Sequence, residues 1–255
     1  MADQVVLART DSCQSIVTGA GNGIGLAMVK QLLASQKVSH VVAVDLNVEK
    51  LEKLRHDHAQ KLFLVSGDVS QSSTSAQAVQ TALDKAGRIN TLILNAAIVK
   101  PIGPFPQLAL ADWKKAFDVN FFALIDMIQH AWPYLLKSEG NILLTSTRVC
   151  LKPTESWTCY ACTKSVLNYL CSCLPLEEPR IKALAISPGA VDTDSMAGAR
   201  NDAMQKFLGG IQAGGKLLRP EQPASAFVKI VETGIPQELT GSTINWDKVP
   251  GAMLL

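Results

Sequence analysis

Along the chain, short apolar runs rich in β-branched residues alternate with stretches whose apolar positions recur every three or four residues. The runs are QSIVTGA, SHVVAVDLN, KLFLVSGDV, NTLILNAA, NILLTST, IKALAISPG and STINWD. Each is continuous and bounded by Gly, Asn, Asp or Ser, the pattern of a strand covered on both faces. Between them, Gly23 to Ser35, Asn47 to Ala59 and Gln71 to Ala86 read as helices, and two longer ones follow, about Leu108 to Ser138 and Cys159 to Leu176. Parallel strands need such crossover helices, so the pattern predicts an α/β fold: a doubly wound parallel sheet of about seven strands with helices on both faces. The two long helices are apolar on more than one face, which predicts a second subunit beside the sheet, in a homodimer or homotetramer. Residues 194–218 break the alternation with small residues and two Gly-Gly pairs. Two readings stay open for them, a segment that covers a substrate and an insertion with no role.

At 255 residues the chain reads as one domain over 1–255. Apolar residues at 47% and charged residues at 18% exclude a disordered chain, and a net charge of +2 gives no electrostatic reason to expect nucleic acid or an anionic membrane. The first residues, MADQVVLARTDSCQS, show no basic n-region or apolar signal run. No segment offers the roughly 20 apolar residues of a membrane helix, so a cytoplasmic location is expected. The six cysteines then read as thiols.

The first chemical signal follows the first strand, where Thr18 to Gly25 read TGAGNGIG and run directly into a helical pattern. Glycines there let the chain turn tightly and bring backbone N–H groups of Gly19, Asn22, Gly23, Ile24 and Gly25 close to a pyrophosphate at the positive end of a helix. Asp45 ends the second strand, where a carboxylate accepts hydrogen bonds from adenosine ribose hydroxyls and repels a 2′-phosphate. Asn22 and Leu46 stand where an enzyme built for NADP would carry Arg or Lys, so NAD(H) is preferred over NADP(H). A helix N-cap is the competing use of Asp45, but Asn47 fits that role better.

The second signal is WTCYACTKSVLNYL, residues 157–170, in which two chemistries overlap. Cys159 and Cys162 form a C-x-x-C, yet a metal site needs two more ligands, and the four histidines lie in other elements without partner spacing. No metal is expected. Tyr160 and Lys164, four apart, project from one face of a helix and bring an ammonium close to a phenol. That proximity favours phenolate and lowers the tyrosine pKa from near 10 toward working pH.

With the glycine turn, Asn95-Ala96-Ala97 after the fourth strand, Asn120, the Tyr/Lys pair and Pro188-Gly189, the chain resembles the short-chain dehydrogenase/reductase family over nearly its full length. The resemblance implies a Rossmann-type domain that transfers hydride between a nicotinamide and a carbonyl or alcohol carbon, with Tyr160 as acid/base. It implies that Lys164 binds the nicotinamide ribose and depresses the tyrosine pKa, and that Asn120 supports a proton relay to Lys164. It further implies Asp68 and Val69 at the adenine, Asn95, Ala96 and Ala97 at the adenosine ribose, and Pro188, Gly189, Val191 and Thr193 at the nicotinamide carboxamide. Ala97 replaces the last glycine of the family's usual pattern. The family's catalytic serine stands thirteen residues before the tyrosine, and here that place holds Thr147, with Ser146 one residue earlier. Adjacent strand residues face opposite ways. Spacing favours Thr147 and chemical type favours Ser146.

A closer resemblance, in LKPTESW, YACTK and SPGAVDTDSM, is to sepiapterin reductase-like members that include benzil reductases, which act on dicarbonyls or aromatic ketones. Those members use NADPH with a basic residue near the second strand, a pattern that Asp45 breaks. Arg148, Trp157 and Met196 fall near the expected reaction centre. Trp157 would wall a ring-bearing substrate or simply pack, and Arg148 would attract an anionic or dicarbonyl one. The expected function is oxidoreduction of a small ketone, diketone or secondary alcohol with NAD(H). Polyol or sugar-alcohol dehydrogenation is the alternative, and a nucleotide-sensing binding protein without turnover is the rival from another class.

Overall fold

All seven apolar runs become strands of one parallel sheet in the computed structural model, which describes residues 13–193, 209 and 217–252. The strands are β1 (Cys13–Thr18), β2 (Val38–Asp45), β3 (Leu62–Ser66), β4 (Thr91–Leu94), β5 (Asn141–Thr145), β6 (Lys182–Ser187) and β7 (Ser242–Asn245). Their order is β3-β2-β1-β4-β5-β6-β7. The chain starts in the middle, runs out to β3, and crosses back to β4. Segments leaving β1 and β4 therefore diverge to opposite faces, and a crevice opens at their carboxyl ends, where α/β sheets take their ligands.

Alternate residues of each strand enter two separate cores. Val17, Ala43, Leu143 and Leu184 pack toward α1 (Gly23–Ala34), α2 (Glu49–Asp57) and α7 (Glu221–Thr233). Ile16, Val42, Val44 and Leu144 pack toward α3 (Ser72–Ala86), α5 (Ala123–Ser138) and α6 (Thr158–Glu177). Two buried faces explain the continuous apolar strands. Met28, Leu32 and Phe227 are wholly buried on the first side. Truncating a side chain of that kind to alanine costs about 3–5 kcal/mol, so this layer fixes the helix that follows β1.

The expected helix from Leu108 to Ser138 is interrupted. It comprises α4 (Leu110–Phe117), a π turn over Asp118–Phe122 and α5. The π turn holds Asn120 in the interior, fully buried, where its Oδ1 accepts from the Ile98 N–H and its Nδ2 donates to the Ile98 carbonyl, both at 2.8 Å. Ile98 lies past the end of the β4 ladder and is half-buried, so Asn120 supplies the partners that a neighbouring strand would. On the long helical segments Leu110, Phe122, Tyr169 and Leu176 are exposed. The N-cap of α2 is Val48, which makes no side-chain cap, so the cap expected at Asn47 needs correction: Asn47 stands one residue before it and accepts from the Glu49 N–H at 3.0 Å.

Candidate active site

At the crevice, the glycine turn is packed against both neighbouring strand ends. Gly19 and Gly23 have φ of +64° and +51°, a region that glycine enters without steric cost. A Cβ on Gly19 would lie 2.7 Å from the Ala96 Cα, one on Gly25 would collide with the Gly19 carbonyl oxygen, and one on Gly21 with the Asn47 carbonyl oxygen. Asn22 makes no side-chain cap on α1, and the helix has no acidic residue in its first turn. Asn22 thus leaves the first N–H groups of α1 uncapped by its own side chain at the crevice end, a fit for the pyrophosphate of a dinucleotide.

Asp45 joins this turn to β2: its Oδ2 accepts from Gly21 N at 2.8 Å and its Oδ1 from Asn47 N at 3.0 Å. Leu46 beside it is exposed. Asn22 and Leu46 themselves carry no charge, but a cation comes from elsewhere: Lys50 Nζ donates to Asn22 Oδ1 at 2.9 Å. The first turn of α2 folds back over the glycine turn and brings the ammonium with it. Asp68 Oδ1 accepts from the N–H and hydroxyl of Ser70, at 2.9 and 2.8 Å, and orders the turn that carries Val69.

Asn95 ties three strands. Its Nδ2 donates to the Thr18 and Gly19 carbonyls at 3.2 and 3.0 Å, and its Oδ1 accepts from Thr145 Oγ1 at 3.1 Å. The N–H groups of Asn95 and Ala96 both donate to Thr18 Oγ1, and Ala97 continues the same turn, half-buried. On the far side, Pro188 is buried and Gly189 has φ +78°. Val191 pairs with Leu218. Thr193 meets the glycine turn, since a Cβ on Gly23 would lie 2.9 Å from its Cγ2. Met196 and nearly all of the 194–218 segment lie outside the described residues.

Lys164 is wholly buried, with Nζ donating to the Thr145 carbonyl at 2.8 Å and standing 5.9 Å from the centre of the Tyr160 ring. Burial pushes the Lys164 ammonium down to about 8. The expected depression of the tyrosine is not found. Tyr160 is mostly enclosed, and loss of solvent pushes its phenol above the usual value, with a smaller push from the Cys150 thiol. Desolvation outweighs the neighbouring cation, so the phenol is in its acid form at neutral pH. Trp157 is buried and meets Tyr160 edge-on at 5.9 Å and 68°, so it holds the tyrosine ring from the side. Arg148 is exposed.

The two candidate hydroxyls part company. Ser146 is buried, and its hydroxyl donates to Asn168 Oδ1 at 2.7 Å. Thr147 is half-buried, and among the described residues its hydroxyl only accepts, from Val149 N at 3.4 Å. Asn120 reaches α6 at Thr163 rather than at Lys164, donating to the Thr163 hydroxyl at 3.2 Å, while that hydroxyl donates to the Tyr160 carbonyl at 2.8 Å. Of the two C-x-x-C thiols, Cys159 is fully buried and desolvation pushes it up to about 11, while Cys162 is half-buried. Reading along the chain named Thr18 only as the start of the glycine motif and missed Lys50, Thr145 and Asn168. Only Asn168 carried a signal, its place one turn beyond Lys164.

A glycine turn at the switch point of a doubly wound sheet, facing a buried lysine and a neutral phenol, defines an oxidoreductase that uses a dinucleotide. The chain belongs to the short chain dehydrogenase family, whose model matches residues 14–204. It is 31% identical over 249 residues to an uncharacterised oxidoreductase of Schizosaccharomyces pombe, covering 94% of this chain and 98% of that one. It is 28% identical over 250 residues to a benzil reductase ((S)-benzoin forming) of Saccharomyces cerevisiae, covering 91% and 95%. A crystal structure of the YIR035C short chain dehydrogenase/reductase of Saccharomyces cerevisiae superposes with a TM-score of 0.90 at 29% identity, covering 95% and 100%. No helix among the described residues is long and apolar enough to cross a membrane.

Proposed function

We propose that the chain transfers hydride between NAD(H) and a small ketone, diketone or secondary alcohol, with Tyr160 as proton donor or acceptor. One observation carries the reading: a buried Lys164 stands within 5.9 Å of the Tyr160 ring and is anchored at 2.8 Å to the strand that leads into Thr147. When bound, the reduced nicotinamide supplies the hydride. Tyr160 holds its proton at neutral pH and releases it only to a strongly basic centre, such as the alkoxide that forms as a carbonyl is reduced. Thr147, with a hydroxyl proton free to be given to the substrate oxygen, stabilises charge developing there. Lys164, held by the Thr145 carbonyl, sits close enough to stabilise the phenolate left behind and would hold the nicotinamide ribose.

Asp45 supports NAD over NADP, and Lys50 makes that preference a moderate one rather than absolute. Similarity to a benzil reductase supports ketones and diketones as substrates. Exposed Leu110, Phe122, Tyr169 and Leu176 support pairing of subunits through the long helices. Six unpaired thiols support work in a reducing compartment such as the cytoplasm. The test is a spectrophotometric panel of diketones, aromatic ketones and, in the oxidising direction, polyols, with both coenzymes. Diketone or ketone reduction favouring NADH, nearly abolished in Tyr160→Phe, is the expected result. Preferred polyol oxidation would replace the substrate class. Tight NADH binding without turnover anywhere would replace the enzyme with a nucleotide sensor.

A further inference from the structure

Thr147 lies where β5 has ended, so no strand ladder fixes it. Ser146 N makes the last bond to β6, donating to the Ile186 carbonyl at 2.9 Å. The 3.4 Å contact with Val149 N is long and weak, and it does not determine where the Thr147 hydroxyl stands. Something else holds this short segment against the reaction centre. The bonds around it converge on one amide: Asn168 Oδ1 accepts from the Ser146 hydroxyl at 2.7 Å, and Asn168 Nδ2 donates to the Cys150 sulfur at 3.1 Å. Cys150 in turn donates to the Thr147 carbonyl at 2.8 Å. Residues on both sides of Thr147 are therefore gripped from a single side chain.

That side chain belongs to α6, four residues after Lys164 and eight after Tyr160, on the same helical face. We propose that Asn168 is a positioning residue. It fixes the Thr147 hydroxyl relative to the Tyr160 phenol by clamping Ser146 and Cys150 to the helix that carries Tyr160 and Lys164. The inference rests on the reading of Thr147 as the donor to the substrate oxygen. Asn suits the role because one amide offers an acceptor and a donor in opposite directions, which the hydroxyl and the thiol require. A misplacement of about 1 Å between reacting groups costs on the order of 100-fold in rate, so loss of the clamp should be felt in turnover rather than in coenzyme binding.

The experiment is a set of steady-state measurements on the intact enzyme, with NADH affinity followed by fluorescence. Asn168→Leu removes both bonds and should lower kcat roughly 30–100-fold while leaving the NADH Kd within about 2-fold. In a Thr147→Ala background the same change should cause no further loss, because the hydroxyl it positions is already gone. A purely structural role would lower kcat by the same factor in both backgrounds, and that outcome overturns the inference. So does an Asn168→Leu enzyme with wild-type kcat. If that variant does not fold, Ser146→Ala/Cys150→Ala cuts both legs from the other side. Its kcat should fall by a similar factor, and wild-type turnover in it overturns the inference equally. A large loss in Thr147→Ala with none on cutting the clamp sinks the clamp alone. Full activity in Thr147→Ala sinks both it and the role given to the hydroxyl.

Discussion

Lys164→Met tests the electrostatics of the site through stability rather than rate. A lysine in an unfolded chain keeps its proton up to about 10.5, whereas burial brings Lys164 down to about 8. Between these values the unfolded state binds more protons, so stability rises with pH from about 8 to 10.5. Below that window the folded protein carries a buried ammonium, at a cost of about 3 kcal/mol, from about 1.4 kcal/mol per tenfold change in proton affinity. Methionine fills the same space without charge. It removes that cost and loses the hydrogen bond to the Thr145 carbonyl, about 1–2 kcal/mol. The variant should therefore be more stable than its parent at pH 7 by about 1–2 kcal/mol, though inactive, and the gap should close and reverse toward pH 10. Urea unfolding of both proteins at intervals from pH 7 to 10 reads this directly. Parallel stability curves would refute the placement of a charged lysine in the interior, whatever the kinetics show.

Four further outcomes follow from the geometry. Tyr160→Phe should lower turnover by about 10²–10⁴ while NADH still binds with near-normal affinity, as titration would show. Asp45→Ala should narrow the preference for NAD over NADP. It should also cost about 1–2 kcal/mol of thermal stability, because the carboxylate holds Gly21 and Asn47; an unchanged coenzyme ratio would count against its ribose role. Lys50→Ala should sharpen the same preference by weakening NADP use, read as the ratio of kcat/KM values for the two coenzymes. Gly25→Ala should abolish dinucleotide binding or folding, since its methyl meets the Gly19 carbonyl, whereas Gly87→Ala should cost only the strain of a positive φ, the space there being open.

Where the chain was legible, the signal was periodic or compositional. Two-faced burial made the central strands near-continuous apolar runs, while the half-buried edge strand β7 showed only Ile244 among polar residues; the glycine turn announced itself by its spacing. The Tyr160/Lys164 pair was visible because four residues make one helical turn. What escaped notice depended on distance through space. Lys50 reaches Asn22 across a loop and a helix start, and no spacing rule places it there. The direction of the Tyr160 shift escaped for a related reason: proximity to a cation can be read from an i, i+4 pair, but the larger effect of enclosure depends on what Trp157 and the sheet bring around the ring. The break at Asp118–Phe122 left no proline or glycine to mark it; what it achieves, Asn120 bonded to both backbone groups of Ile98, depends on a residue 22 positions away.

Tyr160, Lys164 and Asn168 share one rigid rod, at intervals of four residues and so about 6 Å along its axis. Such a rod behaves as a ruler: its marks keep their spacing when it tilts or slides. An ancestral change that admitted a bulkier molecule by shifting α6 would have carried all three along together and spoiled each at once. Variation in what the cleft accepts is therefore forced onto side chains outside this rod and outside the turn after β4, which Asn95 and Asn120 tie to it.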